Sequence, residues 1–150
     1  MKVGPKAQAL IRSFEGCRLK AYMPTPNDRP TIGYGATFHA DGSPVRMGEV
    51  WTQAQADAAF DADINKYGAK VEALLGGCDT DAAQFGALTS LAYNIGLGAL
   101  GNSTVLRKHK AGDWAGAAAA FGMWNKQAGK VLAGLTRRRK AEADLYRSYR

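Results

Sequence analysis

In the stretch FEGCRLKAYMPTPNDRPTIGYG, Glu15 is followed by twelve residues without another acid until Asp28, and Thr31 stands three positions further on. A carboxyl at the end of an amphipathic helix, beside an apolar Phe14, has one face toward a core. Partial desolvation there disfavours the charged form, which keeps a glutamate protonated for use as a general acid near neutral pH. An ordinary solvated glutamate at a helix end has the same local sequence, so Glu15 alone decides nothing. Acid catalysis also asks for a partner, and Asp28 is the only other acid before Thr31. Asn27-Asp28 is equally a turn pair whose side chains bond their own backbone.

The elements that must position these groups follow from periodicity and punctuation. Ala7, Leu10, Ile11 and Phe14 recur at helical spacing behind Pro5, predicting a helix over about 4–15 that ends near Gly16. From Tyr22 to Trp51 the helical period vanishes, and prolines and glycines punctuate short β-prone pieces such as Thr31-Ile32 and Val45. This predicts a small, loop-rich antiparallel sheet, with Asp41-Gly42 as a hairpin turn. Thr52 and Gln55 form a capping box ahead of Phe60, Ile64, Tyr67, Val71 and Leu74, a long amphipathic helix closed by Gly76-Gly77. A second apolar series, Phe85, Leu88, Leu91, Ala92 and Ile95, follows Thr80 and stops at Gly96 and Gly98. Further helices are predicted at about 103–111, 113–122 and 135–148, with the alanines at 117–120 read as tight helix packing. The predicted class is α+β in one domain spanning 1–150: a β-rich lobe at about 16–51, and a helical lobe at about 52–150 joined by the N-terminal helix.

Composition narrows the function classes. No run of about 18 apolar residues is present to cross a bilayer, and the polar residues in MKVGPKAQALIRSFEG break any signal-peptide core. The expectation is synthesis in a cytoplasm. Cys17 and Cys78, 61 residues apart and without CxxC or histidine company, read as reduced thiols, and neither a metal site nor a cofactor is expected. The net charge of +7 is uneven: residues 1–100 hold 9 basic and 10 acidic groups, whereas residues 101–150 hold 11 basic and 3 acidic. Attraction to a polyanion therefore belongs to the last third, and nucleic acid, anionic lipid and bacterial wall polymers all qualify.

EGCRLKAY, a turn-rich insert, TIGYG, a capped long helix, SLAYNIGLGALGNSTVLRK, AGDWAGAAAAF and GKVLAGLTRRRKAEADLY occur in one fixed order from about Ala7 to Tyr146. That order resembles the phage-type lysozymes, the muramidase endolysins of glycoside hydrolase family 24. The resemblance implies a lysozyme-like fold, with a small β lobe joined by a long helix to a helical lobe and a cleft between them. It implies hydrolysis of the β-1,4 bond between N-acetylmuramic acid and N-acetylglucosamine in peptidoglycan. Glu15 then matches the family's acid and Thr31 its threonine.

The usual pattern is glutamate, eight residues, aspartate, five residues, threonine, and this chain departs from it. Pro24 stands nine after Glu15, Thr25 stands six before Thr31, and the interval from Glu15 to Thr31 is one residue longer. Three arrangements answer the displaced aspartate. Asp28 reaches the site from a turn redirected by Pro24 and Pro26; or Thr25, with Thr31, holds the water; or the fold binds the wall without cutting it. The first is taken forward, with Glu15 as acid and Asp28 and Thr31 orienting water on the opposite sugar face, for an inverting outcome.

Gly35 is read as a place where backbone approaches a sugar ring, against a simple strand kink for it and Gly33. Tyr93 and Asn94 match the family's aromatic-plus-amide pair, whose amide can hydrogen-bond an acetamido group; a helix C-terminal asparagine is the alternative. Ala36 stands where the family has a histidine, so a polar contact made by that histidine is missing; His39 replaces it or is simply exposed. Tyr34, Trp114 and Trp124 are read as packing. Arg137, Arg138, Arg139 and Lys140 are expected on a solvated helix face, one of the arginines contacting Glu15 as the resemblance suggests, the others drawn to anionic wall or outer membrane. A monomer without nucleic-acid partners, reaching peptidoglycan from the host cytoplasm by another protein's route, completes the expectation. Its rivals are a silent wall-binding module, a basic nucleic-acid-binding domain, for which no zinc-finger, RRM or KH signature is present, and a membrane-disrupting C-terminal helix.

Overall fold

The structure is a computed structural model that describes residues 1–148. In chain order it contains α1 (Pro5–Glu15), β1 (Arg18–Tyr22), β2 (Thr31–Gly33), α2 (Gln53–Leu75), α3 (Ala82–Ile95), α4 (Leu97–Gly101), α5 (Thr104–Lys110), α6 (Trp114–Ala120), a 3-10 turn (Phe121–Met123), β3 (Lys126–Gln127), β4 (Lys130–Val131) and α7 (Ala133–Arg147). These fall into two compact units, one of Arg12–Asn65 and one of Met1–Ile11 with the chain from Lys66 onward.

The Arg12–Asn65 unit is built on turns. β1 pairs antiparallel with β2, Arg18 opposite Gly33 and Tyr22 opposite Thr31, with an irregularity between. Single bridges Ile32–Ala36, Phe38–Pro44 and Lys20–Val50 extend this into the small sheet expected. Ala21, Ile32, Ala36 and Val45 form its core, with Trp51 packed against them. Gly33 turns at φ +64°, and a Cβ there would lie 3.0 Å from the Trp51 ring, so both backbone and space demand glycine. The Asp41-Gly42 turn forms as predicted, Gly42 at φ +87° and the His39 amide donating to Ser43 O at 2.8 Å. α2 opens on the predicted capping box: the Thr52 amide donates to Gln55 Oε1 at 2.8 Å and the Gln55 amide to Thr52 Oγ1 at 3.1 Å.

The other unit is helical. α3 begins at a second reciprocal box, Asp81 with Gln84, and Gln84 through Ala92 are all buried, so this helix is covered on every side rather than on one face. Gly86 explains one close approach: a Cβ there would fall 2.7 Å from the Ala7 Cβ. α2 ends where Gly76 and Gly77 take φ of +61° and +81°. α5 and α6 carry side-chain caps at Ser103 and Asp113. Two elements depart from the sequence expectation. α4 forms from Leu97, immediately after the Gly96 stop, because Leu100 is a buried anchor. The strands β3 and β4 pair around Ala128 and Gly129 at φ of 51° and 78°, the twist of a two-residue hairpin. Both cysteines are free, Cys17 exposed and Cys78 half-buried, in accord with reduced thiols. No helix among the described residues is long and apolar enough to cross a membrane.

Candidate active site

Glu15 is the last residue of α1 and is half-buried. Gly35 lies against it: at φ +90°, a Cβ on Gly35 would stand 3.7 Å from Glu15 Oε2 and 3.9 Å from its Cδ. These are ordinary van der Waals separations, so it is the positive φ, and not crowding by the carboxyl, that calls for glycine at 35. One helical turn earlier, the Arg12 guanidinium lies over the Phe60 ring at 4.6 Å and the Tyr34 ring at 5.3 Å, and 3.7 Å from Asp61. Tyr34 meets Phe60 edge-on at 5.3 Å between centroids and its hydroxyl accepts from Gln53 at 3.2 Å. Tyr34 thus packs as expected, and in doing so fixes the loop that carries Gly35.

Thr31 is buried at the start of β2, and its hydroxyl donates to Arg29 O at 3.0 Å, leaving the oxygen's lone pairs as acceptors. Asp28 is exposed in a turn in which its amide donates to Thr25 O at 3.1 Å and its Oδ1 accepts from the Arg29 amide at 2.8 Å. Such a bond to its own backbone is the habit of turn aspartates. Thr25, the occupant of the family's aspartate position, is exposed at the head of that turn.

His39 is half-buried in a knot of its own. Nε2 faces Glu49 Oε1 at 2.7 Å and Nδ1 faces the Ser43 hydroxyl at 2.9 Å. The Arg46 amide, donating to Glu49 at 2.8 Å, and then His39 hold the Glu49 carboxyl below the usual range against partial desolvation. The Ser43 hydroxyl and amide do the same for Asp41, at 2.6 and 2.9 Å.

In the helical unit, Tyr93 stands half-buried with its ring centroid 5.1 Å from that of Tyr67. Asn94 is exposed, and its Oδ1 accepts from Arg139 NH1 at 2.8 Å. The arginine cluster corrects the sequence expectation. Arg137 and Lys140 are exposed, but Arg138 and Arg139 are 3% and 1% exposed and enclose Glu142, which is fully buried. Arg138 Nε reaches Glu142 Oε2 at 3.2 Å, and Arg139 NH2 donates to the same oxygen at 2.9 Å. Arg139 Nε lies 2.6 Å from Oε1, a charge contact rather than a well-angled hydrogen bond. The Ser90 hydroxyl donates to Oε2 at 2.6 Å. Burial pushes the Glu142 carboxyl up, opposed by Arg139, Ser90 and Arg138. Sequence reading missed this network, although its signal was present: glutamate four and three residues after two arginines places all three on one helix face. Trp124 contributes its backbone carbonyl, which accepts from Arg139 NH1 at 3.3 Å, while Trp114 and Trp124 are half-buried.

Comparison with known proteins gives this geometry its context. The family described as Phage lysozyme matches residues 12–142. The chain is 41% identical to the endolysin of Bacillus phage B103 over 147 residues, 97% of this chain and 54% of that protein. It is 40% identical over 155 residues to the endolysin of Acyrthosiphon pisum secondary endosymbiont phage 1, covering 99% of each. Thus the chain spans about half the length of the Bacillus phage relatives and nearly the whole of the latter. Among solved structures, the endolysin from Escherichia coli O157:H7 phage FAHEc1 superposes with a TM-score of 0.86 at 39% identity, over 97% of this chain and 93% of that one. Agreement in sequence across nearly the whole length and in fold leads to one conclusion: the chain belongs to the phage lysozyme family.

Proposed function

We propose that this protein is a muramidase, hydrolysing the β-1,4 bond between N-acetylmuramic acid and N-acetylglucosamine in bacterial peptidoglycan as a phage endolysin. The observation that carries the assignment is the half-buried carboxyl of Glu15, the last residue of α1, with the Gly35 turn at φ +90° beside it. Glu15 gives its proton to the glycosidic oxygen as the bond to the anomeric carbon breaks. A water attacks from the opposite face, donating one hydrogen bond to Thr31 Oγ1 and passing its other proton to Asp28, so that the anomeric configuration inverts. Tyr93 and Asn94 bind an acetamido sugar. The protein acts as a monomer, is made in the host cytoplasm and reaches the wall by a route of another protein's making, with its basic last third drawn to anionic wall.

A second arrangement has Thr25 and Thr31 hold the water without a carboxylate. The bond from the Arg29 amide to the Asp28 carboxylate in its exposed turn favours it. Release of reducing ends from purified peptidoglycan by the wild type, Glu15→Gln and Asp28→Asn, at equal folded concentration, separates the two. Loss of about 10²- to 10⁴-fold is expected for Glu15→Gln. A comparable loss in Asp28→Asn assigns the aspartate to the chemistry, and full activity there assigns the water to the threonines. Binding of intact glycan by the wild type without new reducing ends would overturn the enzyme assignment in favour of a wall-binding module.

A further inference from the structure

From Trp114 to Ala141 the chain carries no aspartate or glutamate, while it holds Lys126, Lys130, Arg137, Arg138, Arg139 and Lys140. Arg138 and Arg139 face the buried Glu142, and Lys140 pairs with Asp144 at 3.0 Å. Lys126, Lys130 and Arg137 are exposed and form no salt bridge among the described residues. The Arg137 guanidinium folds back over the start of α7, 3.7 Å from where a Cβ on Gly134 would stand.

Apolar side chains stand among these charges: Met123 is 62% exposed, Val131 59% and Leu132 38%. The hairpin of β3 and β4 distributes them over two faces. Lys126 lies opposite Val131 and Gln127 opposite Lys130. Leu132 continues that register in extended backbone, its amide donating to Asn125 O at 2.9 Å. Residues directly opposite share a face of the ribbon, and so do alternate residues along one strand. One face therefore carries Lys126 with Val131, and the other carries Lys130 with Leu132. The base is held in place, Asn125 Nδ2 donating to Thr136 Oγ1 at 3.3 Å and Trp124 O accepting from Arg139.

We propose that this hairpin, with Met123 and Arg137 at its base, is a membrane-contact element that seats on an anionic lipid bilayer. Its two faces select that occupant. A soluble polyanion would answer the cations and leave three apolar side chains in water, and a folded partner protein would cover one face of the ribbon and leave the other. The boundary between headgroups and acyl chains surrounds an inserted ribbon on both. Met123, Val131 and Leu132 enter the apolar layer, while the lysine stems lie along it with their ammonium groups at the phosphates. An acid-free stretch meets no repulsion from the negative surface. Because the hairpin is already formed, little ordering opposes the contact.

The whole chain is tested by co-sedimentation with vesicles of phosphatidylglycerol mixed with phosphatidylcholine, with vesicles of phosphatidylcholine alone, and by retention on immobilised polyphosphate. None of these needs turnover, so failure here leaves the muramidase assignment intact. Wild type should bind the mixed vesicles and not the neutral ones. Lys126→Gln with Lys130→Gln should lose about 25-fold in partitioning, about fivefold for each cation. Val131→Ser with Leu132→Ser should lose about tenfold on vesicles, yet hold polyphosphate as the wild type does. The substituted side chains are exposed, and circular dichroism confirms the fold of each variant. Wild type that ignores the mixed vesicles would overturn the proposal. So would a serine variant that binds them as the wild type does, which would make the surface a site for soluble polyanions.

A second measurement needs no variant. With a spin label in the acyl chains of the mixed lipid, amide resonances of residues 123–132 should broaden first. Broadening centred on the exposed face of α7 instead would overturn the assignment to the hairpin.

Discussion

The two compact units hold their functional groups by opposite means. Around Glu15 the Arg12–Asn65 unit uses backbone: glycines at positive φ, short bridges and a core of four small or medium side chains beneath Trp51. Its ion pairs, Arg12 with Asp61 and His39 with Glu49, stand partly in water. The helical unit buries one ion cluster, enclosing Glu142 between two guanidiniums, with Arg139 also donating to Asn94 and Trp124. The difference teaches where each unit is fragile. A turn fails when a Cβ is added, whereas a buried ion cluster fails when a charge is removed.

The largest effect should come from Glu142→Gln. It removes the carboxylate charge that both buried guanidiniums contact, and loss of one partner of a buried pair costs about 3–5 kcal/mol. The midpoint of urea unfolding should fall accordingly with little change in slope. A loss below about 1 kcal/mol would break the contrast by showing that the cluster is solvated in effect.

A paired substitution sharpens the other side. Gly35→Ala and Gly42→Ala each force a side chain into left-handed backbone, for about 1–2 kcal/mol. Only position 35 has neighbours, the Glu15 carboxyl at 3.7 Å, whereas nothing lies within 4 Å of a Cβ at Gly42. Reducing-end release should fall about 10- to 100-fold in Gly35→Ala alone, because the backbone strain is relieved beside the Glu15 carboxyl, the methyl itself being in ordinary contact at 3.7 Å. Equal activities would mean that the turn, and not the apposition, is what Gly35 serves.

The smallest effect is in pH. Asp41 and Glu49 have carboxyls held below their ordinary values in the fold. The folded state binds fewer protons than the unfolded state, so their stabilisation is present above the ordinary carboxylate range and lost as pH falls through the depressed values. Amide exchange protection in the loop at 39–49 should weaken in that window. Asp41 is exposed and Glu49 half-buried, so salt should blunt the change in part.

Much of this architecture could be read from the sequence because the signals are local. Thr52 with Gln55, Gly76-Gly77 and Asp41-Gly42 each act within a few residues, and each does what its chemistry predicts. The failures have a common cause. Arg138 and Arg139 looked solvated because the distant groups they bond, Ser90 O for Arg138 and Asn94 for Arg139, lie 48 and 45 residues away. β3 and β4 escaped notice because Lys126-Gln127 and Lys130-Val131 carry only one β-branched residue, and the turn between them places Ala128 at positive φ. Leu97–Gly101 was hidden by the glycines around it. As site residues, sequence reading named Glu15, Asp28, Thr31, Gly35 and the Tyr93-Asn94 pair. The arginine bonded to the asparagine amide lies 45 residues further along the chain.

Cys17 follows Glu15 by two positions, is exposed, and bonds only weakly, its Sγ 3.9 Å from Gln53 Oε1. The second thiol, Cys78, is half-buried beside Thr80. For labelling chemistry the unmodified chain therefore supplies one accessible handle next to the acid-bearing turn. A fluorophore attached there by maleimide would report glycan engagement in the natural sequence, with no engineered cysteine required.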